Sequence, residues 1–201
     1  MHVDVSQETD PGDPILEIPW ADPDRPATRH ADLKRHPEAV LELEECRRYP
    51  ALGDFLLQVN SAGSAFRTAK SDVWATREMD LDEKVDFGMP CKVASYVDLL
   101  FDRAEVNAQV DSYRQLASSI EHGARDLRMP AQVELQIRRC IFVLENRAGY
   151  YVTIYVHAYG PTPQEAERHW NEAMQSLAGI LTVVDREAAW RAADTTGTAA
   201  S

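Results

Sequence analysis

Tyr151, Thr153, Tyr155, His157 and Tyr159 stand at every second position of one stretch of this chain, and Arg138, Cys140 and Phe142 do the same in the stretch before it. Three kinds of chemistry suit that set. Tyrosines flanked by charge form protein-binding surfaces, because each ring couples a large apolar area to a hydrogen-bonding group at small entropic cost. The same hydroxyls with Arg138 and His157 are the few orienting polar groups of a small-molecule site. His157 beside Asp72 or Asp98 is the start of a hydrolase-type general base, since a carboxylate orients an imidazole and raises its basicity.

The elements that must position these residues follow from alternation, the mark of a strand whose side chains point to opposite faces in turn. Val133, Leu135, Ile137, Ile141 and Val143 make an aliphatic side that resumes in Val152, Ile154, Val156 and Ala158, so this stretch reads as a hairpin turning at Asn146-Arg147-Ala148-Gly149. That turn sets Arg138 across from His157 and Cys140 across from Tyr155. An earlier pair of strands is expected over Phe66 to Thr76 and Val93 to Phe101. Their core sides carry Ala69, Ser71, Val73 and Ala75, then Ser95, Val97, Leu99 and Phe101. Lys70, Asp72, Trp74, Tyr96 and Asp98 fall on the opposite face.

Helical periodicity appears from Pro37 (Ala39, Val40, Leu43, Cys46), through Leu52, Phe55, Leu56 and Val59, and from about Val106 to Ala124. Thr162-Pro163-Gln164-Glu165 opens a last helix: Thr caps, Pro occupies the first turn without losing a needed donor, and Glu reaches back. The acidic run Glu78 to Glu83, closed by Gly88-Met89-Pro90, reads as a solvated loop; it lacks the spacing of a calcium loop. Residues 1–30, rich in Pro and Asp, read as a flexible arm, with Ile15 to Trp20 able to dock on the domain or a second subunit. One domain is expected over 31–184 and a small polar tail over 185–201.

The resulting order, α-β-β-α-β-β-α, predicts an α+β domain: an antiparallel sheet of about four to five strands with helices mainly on one face. The two strand-strand-helix units, Ala94 to Leu99 and Gly149 to Ile154 with the helices behind them, share a short pattern that a common role on one sheet explains better than an internal repeat. From about Pro37 to Val184 this order resembles that of the small acidic secretion chaperones, which are dimeric α+β proteins. The resemblance is of topology alone and implies a binding role.

Composition excludes several classes. A net charge of −12 argues against a nucleic-acid-tracking surface. No apolar run approaches a membrane span and no basic-then-apolar leader opens the chain, so a cytoplasmic protein is expected. The three cysteines are far apart and read as free thiols. No histidine pair has metal-ligand spacing, Glu165 and His169 read as an exposed helical pair, and Ser61-Ala62-Gly63-Ser64 is no phosphate loop. No cofactor is called for.

The reading preferred on these grounds is a non-enzymatic binding protein, a homodimer or a partner binder. Its aromatic sheet face carries Trp74, Tyr96, Arg138, Tyr151, Tyr155, His157 and Tyr159. A small-molecule site, a face merely covered by Ile18 and Trp20 of the arm, and a His157 hydrolase stand behind it in that order.

Overall fold

The computed structural model describes residues 1–22, 24 and 30–187. In chain order they form β1 (His2–Glu8), β2 (Ile15–Ile18), a 3-10 turn (Pro37–Glu42), α1 (Glu44–Arg48), α2 (Pro50–Val59) and β3 (Phe66–Thr76). Then come α3 (Leu81–Asp86), β4 (Cys91–Phe101), α4 (Ala104–Asn107), α5 (Val110–Ala124), β5 (Ala131–Phe142), β6 (Arg147–Gly160) and α6 (Pro163–Glu187).

The expected α+β class holds, but the sheet is six-stranded and mixed, in the order β1-β5-β6-β4-β3 with β2 also on β5. The two hairpins, β3-β4 and β5-β6, join antiparallel through β4 and β6. The parallel strands come from the segment read as an arm. β1 pairs His2 to Glu8 with Gln132 to Arg138, and β2 continues the same edge by pairing Ile15 to Ile18 with Arg139 to Phe142. The Pro-Asp run 9–14 loops out between them. Its prolines hid the strands on either side, because a composition that cannot enter a ladder says nothing about its neighbours. Of the tail expected over 185–201, residues up to Glu187 belong to α6 and the rest lie outside the described residues.

One face of the sheet carries α2, α6 and α5 over a core that includes Val133, Leu135, Ile137, Val97, Leu99, Val152, Ile154 and Val156. The capping signal at Thr162 is present: its Oγ1 accepts from the Glu165 N–H at 3.2 Å. Trp170 of α6 is fully buried and donates from Nε1 to Ser95 Oγ at 2.9 Å. The helix expected over 106–124 is broken between α4 and α5. Asn107, fully buried, takes the Phe101 N–H on Oδ1 at 2.9 Å, returns Nδ2 to the Phe101 carbonyl at 2.8 Å and accepts from Tyr113 OH at 2.6 Å. With that side chain tied to the strand end, α4 stops at Asn107 and α5 starts afresh at Val110.

Two local corrections bear on the site. The β5-β6 turn is Val143 to Asn146, with Asn146 in the left-handed region at φ 45° that Asn tolerates well. Phe142 therefore opposes Arg147, Arg138 opposes Tyr151, Glu134 opposes Tyr155 and Gln132 opposes His157. Gly149 is a strand residue: a Cβ there would lie 2.7 Å from the Phe142 ring and 2.9 Å from the Asn107 carbonyl. On β3, Ala69 and Lys70 stand against the single residue Asp98, a β-bulge that turns Ala69 away from the core side it was expected to share with Val73.

Candidate functional site

The face away from the helices is built from Asp72 and Trp74 of β3, Tyr96, Asp98 and Leu100 of β4, alternate residues from Tyr151 to Tyr159 of β6, and Gln136, Arg138 and Cys140 of β5. It divides into three zones.

At one end the chain's own N-terminal segment closes it. Leu16 and Ile18 lie beside Cys140 and Phe142, and a small second core of Ile18, Ala69, Leu100, Cys140, Phe142 and Tyr151 forms beneath the crossing. Trp20 then reaches β3, where its Nε1 donates to the bulge carbonyl of Ala69 at 2.7 Å and Lys70 Nζ sits 5.0 Å above its ring. Tyr151, 5% exposed, is thereby withdrawn from the surface; burial pushes its hydroxyl up to about 12. The same burial pushes the Cys140 thiol up to about 12, which removes it as a nucleophile.

At the other end the acidic run forms α3 rather than a solvated loop. Asp80 and Glu83 make a reciprocal capping box, and an Asp three residues before a Glu was the available signal. Glu83 turns inward, where its carboxylate accepts from Lys92 Nζ at 2.6 and 2.8 Å and from Tyr159 OH at 2.8 Å. Phe87 stacks on Tyr159 with ring centroids 3.9 Å apart. Tyr159 is therefore also buried by the chain itself. Burial alone would raise the pKa of Glu83, but Lys92, Tyr159 and the Asp80 backbone N–H outweigh it and hold the carboxylate below its ordinary range.

Between the two lids lies a band of partly exposed rings. Trp74, Tyr96, Tyr155 and His157 follow one another across β3, β4 and β6 at centroid separations of 6.5, 6.1 and 6.4 Å. Trp74 is 40% exposed. Arg138 borders the band: its Nε pairs with Glu8 of β1 at 2.9 Å and its Nη1 donates to Tyr155 OH at 3.3 Å. Burial opposes its charge, yet Glu8 and the tyrosines keep it firmly protonated. Glu8 had no signal in the sequence. Asp98, beneath the band, is 5% exposed and accepts from Thr153 Oγ1 at 2.7 Å. Burial pushes it up to about 6, against the pull of that hydrogen bond and of Lys70 and Arg138.

The structure does not bring Arg138 and His157 together. Arg138 opposes Tyr151 near the N-terminal crossing, whereas His157 opposes Gln132 on one side and Ala94 on the other. The carboxylate nearest His157 is Glu83, with 3.7 Å between Nδ1 and Oε1. Asp98 opposes Thr153 and Asp72 opposes Tyr96, so neither is the orienting partner of a histidine base. Burial lowers the pKa of His157, Lys92 lowers it further, and Glu83 and Asp80 only partly compensate. Among the described residues no group of His, Cys, Asp and Glu is arranged to hold a metal, and no helix is long and apolar enough to cross a membrane. Comparison with protein families, with characterised proteins and with solved structures finds no match to the chain.

Proposed function

We propose that this chain is a non-enzymatic binding protein whose aromatic sheet band serves self-association or a protein partner. The observation that carries the reading is the ladder Trp74, Tyr96, Tyr155 and His157, in ring-to-ring register and left partly exposed between two lids that the chain supplies itself. Large amphipathic rings fixed by their neighbours lose little entropy on docking, and Arg138 and Asp72 supply charge at the border. Tyr151 and Tyr159 act behind this surface, packing the crossing and α3 in place.

A small-molecule role has one observation in its favour. A hollow of about 710 Å³ lies where the N-terminal crossing meets the band, between Trp20, Tyr96, Lys70, Asp72 and Glu17. Its acidic rim suits a cationic ligand. It contains neither Arg138 nor His157, so the orienting groups expected from sequence are not in its wall.

A native mass spectrum of the full chain separates the two. The binding-surface reading expects a protein complex, first of all a dimer, without added small mass, and its weakening by Trp74→Ala and Tyr155→Ala. A monomer that retains a reproducible small mass supports the hollow instead.

A further inference from the structure

β3 ends the sheet, and among the described residues no strand lies outside it. The opposite edge is broken by the proline-containing loop between β1 and β2, one of the usual ways of blunting an edge. Among the described residues β3 is blunted in its first half, where the bulge carbonyl of Ala69 is taken by Trp20 Nε1 at 2.7 Å and by the His30 ring at 3.3 Å, and at Val73, whose N–H must leave the Asp72 carboxylate before it can pair. From Ser71 to Thr76 there is no proline and no further bulge. The Val73 N–H donates to the Asp72 carboxylate at 2.7 Å, which marks Ser71, Val73 and Ala75 as the residues whose peptide groups face away from β4.

We infer that the chain pairs with a second copy of itself along β3, antiparallel, about a twofold axis at Trp74. This deepens the binding role proposed above and rests on it, since it names the partner and the edge by which the band is shared. The register is fixed by phase and by charge. Outward-facing peptides must oppose each other, so Val73 meets Ala75 of the second copy. Trp74 then meets its own counterpart at a position without hydrogen bonds, where side chains approach most closely. On the same face Asp72 meets the Thr76 hydroxyl and Lys70 meets Glu78. In the other phase the exposed Arg77 arrives opposite Ser71, at the β3 border of the hollow that Glu44 and Glu45 line together with Trp20, Asp72 and Tyr96. Sliding the pair by one pleat repeat sets Asp72 against Glu78 in one direction and against Trp74 in the other, and both lose these matches. The product is a single continuous sheet in which two ring ladders join through the paired Trp74 side chains. Its outer edges are the interrupted ones, so association closes at a dimer.

The test is thiol cross-linking in the full chain. Cys46, Cys91 and Cys140 are buried, so the unaltered protein is a quiet background. Under mild oxidation W74C should cross-link to itself. D72C mixed with T76C should cross-link efficiently, and either alone at least tenfold less. A75P, which removes an N–H facing away from β4, should weaken the dimer tenfold or more with unchanged circular dichroism. A monomeric wild type at tens of micromolar overturns the inference. So does a wild-type dimer in which neither W74C nor the mixture of D72C with T76C cross-links; if Tyr155→Ala then weakens that dimer more than Trp74→Ala does, the copies meet face to face and the binding-band reading stands without the edge. The binding-band reading itself falls if neither alanine variant changes any complex.

Discussion

Lys92 Nζ lies 2.6 and 2.8 Å from the two oxygens of the Glu83 carboxylate, and the two side chains are only 13% and 8% exposed. Removing one member of such a pair leaves the other charge buried and uncompensated, at a cost of roughly 3–5 kcal/mol when the surroundings cannot relax. α3 is a single short helix on the surface, so much of that cost is relieved by its release. Glu83→Ala should therefore raise amide hydrogen exchange across 81–87 well before it affects β4 or β6, and it should increase the solvent exposure of Tyr159. Uniform protection in the variant would show that Phe87 stacking alone holds the lid.

Asp98 gives the band a pH signature. Its folded-state pKa, pushed up to about 6 by burial, stands above that of an unfolded aspartate, so the folded state holds the proton more tightly. Stability is then highest with the carboxyl protonated and falls as pH rises through the window between ~4, the unfolded value, and about 6. A gap of this size corresponds to roughly 3 kcal/mol at most. Asp98→Asn, which can still accept from Thr153, should be more stable than the parent at pH 8 and should flatten the dependence between pH 4 and 6 in urea unfolding. Identical pH profiles would mean that Asp98 stays charged in the folded protein.

His157 works in the opposite sense. Its pKa is lowered, so below the unfolded value of ~6.5 the unfolded chain takes up the proton first and stability declines as pH falls. His157→Gln should remove part of that decline without altering stability at pH 8. Measuring it beside Asp98→Asn separates the two titrations, which otherwise oppose each other near pH 6.

Ile154 and Tyr155 are neighbours on opposite faces of β6. Ile154 is 1% exposed in the main core, so Ile154→Ala should cost ~2–5 kcal/mol through lost transfer energy and an unfilled cavity. Tyr155→Ala should cost clearly less stability and should weaken assembly more. Equal losses in chemical unfolding would mean that the two faces are equivalent, contrary to the account.

Gly149→Ala tests the hairpin correction. A methyl 2.7 Å from the Phe142 ring and 2.9 Å from the Asn107 carbonyl must displace one of them, and overpacking of this kind costs about 1–3 kcal/mol. At Gly63 an added methyl meets nothing within 4 Å, so alanine there should change stability little.

The face assignment of β5 and β6 was legible from alternation as far as Ile137, because a buried side forces Val133, Leu135 and Ile137 into one phase and leaves Arg138 and Cys140 in the other. Ile141 and Val143, expected on the same side, lie outside the core, Val143 in the turn and 48% exposed. Register was not legible. It depends on where the turn falls, and Gly149 looked like a turn residue although it serves a close approach between Phe142 and Asn107. β1 and β2 were missed because parallel edge strands draw their partners from a distant segment and need no hairpin signal nearby. The bulge at Ala69 shifted one residue across the sheet for a reason visible only once Asp98 stands opposite. Of the aromatic set, Trp74, Tyr96 and Tyr155 keep exposure, whereas Tyr151 and Tyr159 were taken up by Ile18 and Phe87, segments whose docking no local pattern encodes.

The most direct test of the central claim is a native mass spectrum of the freshly purified full chain, recorded beside its Trp74→Ala and Tyr155→Ala variants. The expected result is a dimer without added small mass, a shift toward monomer in Tyr155→Ala, and a larger one in Trp74→Ala. A monomer carrying a reproducible small mass, or a complex indifferent to both substitutions, would contradict it.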